Sequence, residues 1–150
     1  MNELRKRQAR IQPIIKVRKV QVDEEMILLE QIRTDKVEAV KKLRDNQKLY
    51  MEGVEQVNKA RKECDSKKLL TLEVGLDYVK SKWYKSLREV RTIEEKEKAQ
   101  LAQLVNAQKN LKTIEKLSGR IGDEIAVQIQ RDDQKNLDEI ASKKFTANQK

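Results

Sequence analysis

Residues 65–71 read Asp65-Ser66-Lys67-Lys68-Leu69-Leu70-Thr71, and the reading of this stretch decides the fold. Asp, Ser and Thr offer side-chain oxygens that cap a new helix start. The segments on either side are almost free of the residues that break helices. Upstream, Gly53 is the sole interruption between Ile14 and Glu63, and the only proline, Pro13, stands where a helix can begin because its missing N–H would be unpaired there anyway. Downstream, Gly75, Gly119 and Gly122 are the interruptions between Glu73 and Ser142. The expectation is a single coiled-coil domain over 1–150: a helix over about 14–64, a turn over about 65–72, a second helix over about 73–142, and flexible ends. At 1.5 Å per residue the helices would be roughly 75 Å and roughly 105 Å long.

The apolar period points the same way. Steps of alternating three and four from Ile15 visit Ile15, Arg18, Val22, Glu25, Leu29, Ile32, Lys36, Ala39, Leu43, Asn46, Tyr50, Gly53, Val57, Ala60 and Cys64, and ten of these fifteen are apolar. The same walk from Leu76 visits Val79, Trp83, Ser86, Val90, Ile93, Glu97, Gln100, Leu104, Ala107, Leu111, Ile114, Ser118, Ile121, Ile125 and Gln128, with eleven of sixteen apolar. Kept up for this long, the pattern is a coiled-coil seam, and no window alternates with period two for long enough to make a sheet. Two seams joined by a short loop fold back as an antiparallel hairpin. A reversal near residue 70 places Val57 near Trp83, Leu43 near Glu97 and Ile15 near Ile125. The fold class is therefore all-α, a long antiparallel two-helix hairpin, whose second helix outruns the first beyond roughly residue 128. Ile129, Leu137, Ile140 and Phe145 fall on that overhang, which is either a docking stripe or a charged terminus that frays.

Composition excludes much else. Charged residues make up 39% of the 150, with 34 Lys+Arg against 25 Asp+Glu, and aromatics only 3%. So few rings argue against a thick globular core. The longest purely apolar run is Met26–Leu29, far short of the about 20 residues of a membrane span. With one cysteine, no intrachain disulfide forms, and no cleavable signal pattern opens the chain, so the expectation is a soluble protein of a reducing compartment.

Chemistry is sparse. There is no His for proton transfer or metal binding and no second Cys for a zinc site. Gly119-Arg120-Ile121-Gly122 lacks the spacing of a phosphate loop, and the pairs Asp132-Asp133 and Glu94-Glu95 read as solvated helix faces. Cys64 reads as a small packing residue beside the turn, a redox role being the alternative. Two helices side by side enclose no cavity for catalysis, so the expectation is no enzyme, no cofactor and no metal.

Charge is uneven. Residues 1–20 carry seven basic side chains against Glu3, a net +6 of the total +9, whereas residues 21–40 carry a net −4. The basic end is the end where the two termini meet. It suits an acidic protein surface, an anionic membrane or nucleic acid, or acts as a solubilising tail. Nucleic acid fits least, because no aromatics are interleaved with the cations and no parallel zipper follows them. Four of the five rings cluster: Tyr50, Tyr78, Trp83 and Tyr84. Tyr50 and Trp83 fall on the seam, while Tyr78 and Tyr84 fall off it and are placed to be exposed binding anchors.

Two segments carry a resemblance. Arg10-Ile11-Gln12-Pro13-Ile14-Ile15-Lys16-Val17-Arg18 looks like the opening of the flagellar export protein FliJ family, and Arg131-Asp132-Asp133-Gln134-Lys135-Asn136-Leu137-Asp138-Glu139-Ile140-Ala141 resembles its close. The stalk proteins of virulence type III secretion are more distantly similar. The resemblance implies a two-helix coiled coil like the central stalk of rotary ATP synthases, entering the pore of the hexameric export ATPase and promoting its assembly and activity. It further implies contacts with the export gate membrane protein and with export chaperones and a cytoplasmic location peripheral to the inner membrane; no nucleic-acid partner is expected, on the residue pattern given above. Carried over by residue, Arg10, Lys16, Arg18 and Lys19 would face the ATPase ring. Leu43, Tyr50, Val79 and Trp83 would meet the export gate, with Asn46 standing where the family often carries an aromatic. Leu137, Ile140 and Phe145 would form the C-terminal partner surface. The other reading is a central-stalk or scaffolding subunit of another rotary ATPase or of a virulence secretion system.

Overall fold

The computed structural model describes residues 2–63 and 65–149. They form two helices, α1 (Asn2–Glu63) and α2 (Ser66–Gln149), packed against each other as an all-α hairpin. The chain divides into two compact units: a terminal unit of Met1–Glu24 with Val105–Lys150, and a turn unit of Glu25–Leu104.

The helices run further than the breakers suggest. α2 starts at Ser66 rather than near 73, because Asp65 alone does the capping. Its carboxylate accepts from the Lys68 N–H at 3.3 Å, and its carbonyl accepts the first helical bond from the Leu69 N–H at 2.9 Å. Thr71, expected in the turn, instead donates its hydroxyl back to the Lys67 carbonyl at 3.1 Å, as a threonine inside a helix does. Ion pairs across the reversal, Lys68–Glu63 at 3.6 Å and Arg61–Glu73 at 3.3 Å, flank the cap.

At the other end, α1 passes through Pro13 instead of starting there. An interior proline costs about 3 kcal/mol by deleting one backbone bond and crowding the preceding turn. Against this, the turns before it extend the seam through Leu4, Gln8 and Ile11, the first two half-buried and the last buried. Burial of one such aliphatic side chain contributes about 1.5–3 kcal/mol, enough to carry the helix across. Ala9 and Pro13 are both exposed, so the carbonyl that loses its partner is on the solvent side.

The seam is where the periodicity puts it. All fourteen described positions of the first walk and all sixteen of the second are buried or half-buried; Cys64, which ends the first walk, lies outside the described residues. The register differs from expectation. Tyr50 rather than Val57 stacks on Trp83, with ring centroids 5.2 Å apart, and Lys36 rather than Leu43 pairs with Glu97 at 3.4 Å. In both cases the α1 partner is seven residues earlier, because the reversal is at Asp65 and not near 70. A seven-residue slip leaves the same helix face inward, so the periodicity could not detect it.

The two units fill the seam differently. In the terminal unit, Ile11, Ile15 and Ile121 form a buried cluster with Leu111, Ile114 and Ile125 packed around it. In the turn unit, buried Leu29, Val57, Ala60, Val90 and Leu104 alternate with polar layers. The Asn46 amide donates to the Ser86 hydroxyl at 2.5 Å, and that hydroxyl donates to the Lys82 carbonyl at 3.0 Å. Lys36 meets Glu97, and the Gln100 amide donates to both the carbonyl and the carboxylate of Glu25. No described buried side-chain polar atom lacks a partner.

Candidate functional site

The surfaces singled out in the sequence occupy separate places on the two units. On the terminal unit, Arg10, Lys16 and Lys19 are exposed, while Arg18 is half-buried and donates to the Gln21 side chain at 3.5 Å. The structure places only two of these four in grooves, one in each of two that adjoin. Arg10 lines a groove with Arg7, Leu117, Arg120 and Glu124, and Arg18 lines an adjoining one with Lys116, Leu117 and Arg120. Lys16 and Lys19 line neither. Arg7 was counted in the sequence only as part of the charge total, and Lys116 and Arg120 were not singled out. The α2 pair becomes visible only once the register sets residues 116–120 beside the start of α1.

On the turn unit, Leu43, Tyr50, Val79 and Trp83 all occupy seam positions and are half-buried. Tyr50 and Trp83 spend one face each on their mutual stack, and Trp83 is also stacked on Tyr84 at 5.5 Å. What solvent meets here is mainly the off-seam set, with Tyr78 63% and Tyr84 47% exposed. Lys82 Nζ sits 4.8 Å from the Tyr78 ring centre and Lys80 Nζ 5.8 Å from that of Tyr84, within cation–π range. Beside them a groove between the helices is lined by Leu49, Leu72, Leu76 and Val79, with Gly53 and Gly75 among its walls. The helices come close at Gly53: a Cβ would come within 2.8 Å of the Leu76 Cδ1, so a larger residue there makes that side chain move.

Among the described residues, those from Asp133 to Asn148 have no covering partner from α1. Every described side chain from Asp133 to Asn148 is exposed, with Leu137, Ile140 and Phe145 at 60%, 54% and 65%. Continued past Gln128, the seam walk reaches Asp132, Lys135, Glu139, Ser142 and Thr146, all polar. The three apolar residues lie off that line, so the surface they make is not a continuation of the intrachain seam.

Among the described residues there is no group of acidic, Cys or His side chains placed to hold a metal, and no helix is long and apolar enough to cross a membrane. What the geometry offers is open grooves and exposed rings along paired helices. Such surfaces suit recognition of other macromolecules.

No curated protein and no solved structure matches the chain. A family model described as flagellar FliJ protein matches residues 7–150, nearly the whole length and including both segments on which the resemblance rests. The chain belongs to the flagellar FliJ family, whose members are components of the flagellar protein export apparatus.

Proposed function

We propose that this chain is the stalk and regulator of the flagellar export ATPase, acting through binding alone. The terminal unit enters the axial opening of the hexameric ring, promotes its assembly and raises its activity. The observation that carries the reading is the excess of positive charge on this unit: a net +6 in residues 1–20, joined by Lys116 and Arg120 of α2 around one pair of grooves. A two-helix unit is about 20 Å across, side chains included, and fits a narrow pore. Complementary charge orients it and speeds encounter without a large apolar interface. Arg10, Lys16, Arg18 and Lys19 face the ring. The turn unit meets the export gate membrane protein around Leu43, Tyr50, Val79 and Trp83, where the exposed Tyr78 and Tyr84 extend the contact. Leu137, Ile140 and Phe145 receive export chaperones. The protein works in the cytoplasm, peripheral to the inner membrane through these partners. The flagellar family match favours this reading over a virulence secretion stalk or a subunit of another rotary ATPase.

Size-exclusion chromatography of the chain with the export ATPase tests it. Co-elution with a ring-sized species is the expected result, and separate elution at micromolar concentrations contradicts it.

A further inference from the structure

The two adjoining grooves of the terminal unit share Leu117 and Arg120. Together they hold five cations, Arg7, Arg10, Arg18, Lys116 and Arg120, against a single carboxylate, Glu124. None of the five is in an ion pair among the described residues; the three pairs found there all lie between residues 36 and 97. At the junction Leu117 is 44% exposed, an aliphatic surface in the middle of the cations. The grooves follow α2 over residues 110–124, about 21 Å of helix at 1.5 Å per residue.

This combination selects its occupant. A row of uncompensated guanidinium and ammonium groups favours carboxylates, which Arg can grip in a bidentate fork. An exposed aliphatic between them favours a ligand with an apolar stripe, and an elongated depression between two helices is the seat of a third helix. A nucleic-acid strand would leave Leu117 against sugar and phosphate and would find no ring in either groove to stack on. A membrane surface would engage the outward-pointing Lys16 and Lys19 at least as well as a concavity.

We infer that the groove centred on Leu117 receives an acidic amphipathic helix of a partner protein, about three to four turns long, with carboxylates against Arg7, Arg10, Arg18, Lys116 and Arg120 and a leucine-like side chain on Leu117. This rests on the reading of the terminal unit as a partner-binding end and deepens it: the contact belongs to both helices, and Lys16 and Lys19 are outside it.

The test uses the full chain and a fluorescein-labelled peptide of about 16 residues, with Glu on both flanks of a single leucine stripe. Fluorescence anisotropy should show saturable binding that weakens as salt rises. The double variant Lys116→Glu/Arg120→Glu should lose about tenfold or more in affinity, and the equal charge change at the exposed Lys109→Glu/Lys112→Glu, which line neither groove, no more than about threefold, as expected for long-range screening alone. A peptide with its leucines replaced by serine should also bind about tenfold more weakly. Circular dichroism of each variant should match the parent chain, so that lost binding is not lost structure. Equal losses in the two double variants, undiminished binding of the serine peptide, or no binding at low salt would each overturn the inference. So would binding to phosphatidylglycerol vesicles that depends on Lys116 and Arg120 while peptide binding does not, since the groove would then serve a lipid surface. The outcomes separate cleanly from the larger reading. A chain that co-elutes with the ATPase but ignores the peptide loses only the groove, and one that binds the peptide but never the ATPase loses only the stalk.

Discussion

The two units of this hairpin solve the same packing problem in opposite ways. The terminal unit holds its helices together with aliphatic volume, Ile11, Ile15 and Ile121 at its centre, and puts its polar chemistry on the outside as an uncompensated basic groove. The turn unit puts polar chemistry inside, in the layers Asn46–Ser86, Lys36–Glu97 and Gln100–Glu25, and spends its aromatics partly on the seam and partly on the surface. Among the described residues, the hydrogen bonds that run from one helix to the other all lie in the turn unit. Aliphatic seams tolerate a slip of one heptad, since a similar residue arrives at each position. Hydrogen-bonded layers do not, because a slip leaves every donor and acceptor facing an apolar neighbour. The comparison teaches a division of labour: volume supplies cohesion at one end, and polar pairing fixes the alignment at the other.

The contrast can be broken from either side. The largest effect is expected at the aliphatic centre. Ile121 is buried at 6% exposure, so Ile121→Ala should cost about 2–4 kcal/mol in urea unfolding followed by helicity, from lost burial plus the cavity left behind. A cost below about 1 kcal/mol would mean that the cluster is not what holds this unit together.

Next comes the polar layer. Ser86→Leu alone strands the half-buried Asn46 amide and should cost about 1–2 kcal/mol. Adding Asn46→Leu should return stability close to the parent value while releasing the alignment. Cysteines introduced at 50 and 83, or at 57 and 83, in a Cys64→Ser background report on it. The parent chain should cross-link only the first pair, whereas the doubly apolar variant should also cross-link the second. A variant that keeps the parent pattern would show that the register is held elsewhere.

Smaller effects follow at the turn and the glycines. Asp65→Ala removes the cap on Lys68 and should cost about 1 kcal/mol. Gly119 faces open space, so Gly119→Ala should stabilise by up to about 1 kcal/mol; at Gly53 the same gain should be partly or wholly cancelled, because Leu76 must move. Equal gains at both sites in thermal unfolding would contradict the close approach at Gly53.

These results also mark how far the residues could be read without coordinates. The seam face was legible at every described position of the two walks, because 3.5-residue periodicity over many turns overrides single polar interruptions such as Asn46 or Gln100. The register was not, since a heptad slip preserves that face and the turn segment held three capping candidates of which only Asp65 is used. Pro13 misled as a helix start because breaker rules carry no knowledge of Ile11 burying itself two residues earlier. Exposure of Tyr78 and Tyr84 followed from their offset from the seam. The basic groove was half legible. Arg10 and Arg18 stood out in the charge count, but Lys116 and Arg120 are about a hundred residues away in sequence and join them only through the alignment of the two helices.

The most direct test of the central claim, that the basic terminal unit is the part that acts on the export ATPase, is ATP hydrolysis by that ATPase titrated with three chains. They are the parent, a variant with Arg10, Lys16, Arg18 and Lys19 changed to Glu, and one with the exposed Lys41, Lys42, Lys48 and Lys59 of the turn unit changed to Glu. The account predicts stimulation by the parent and by the turn-unit variant, and its loss with the terminal-unit variant at unchanged helicity. Absence of stimulation by the parent, or equal loss in both variants, would contradict it.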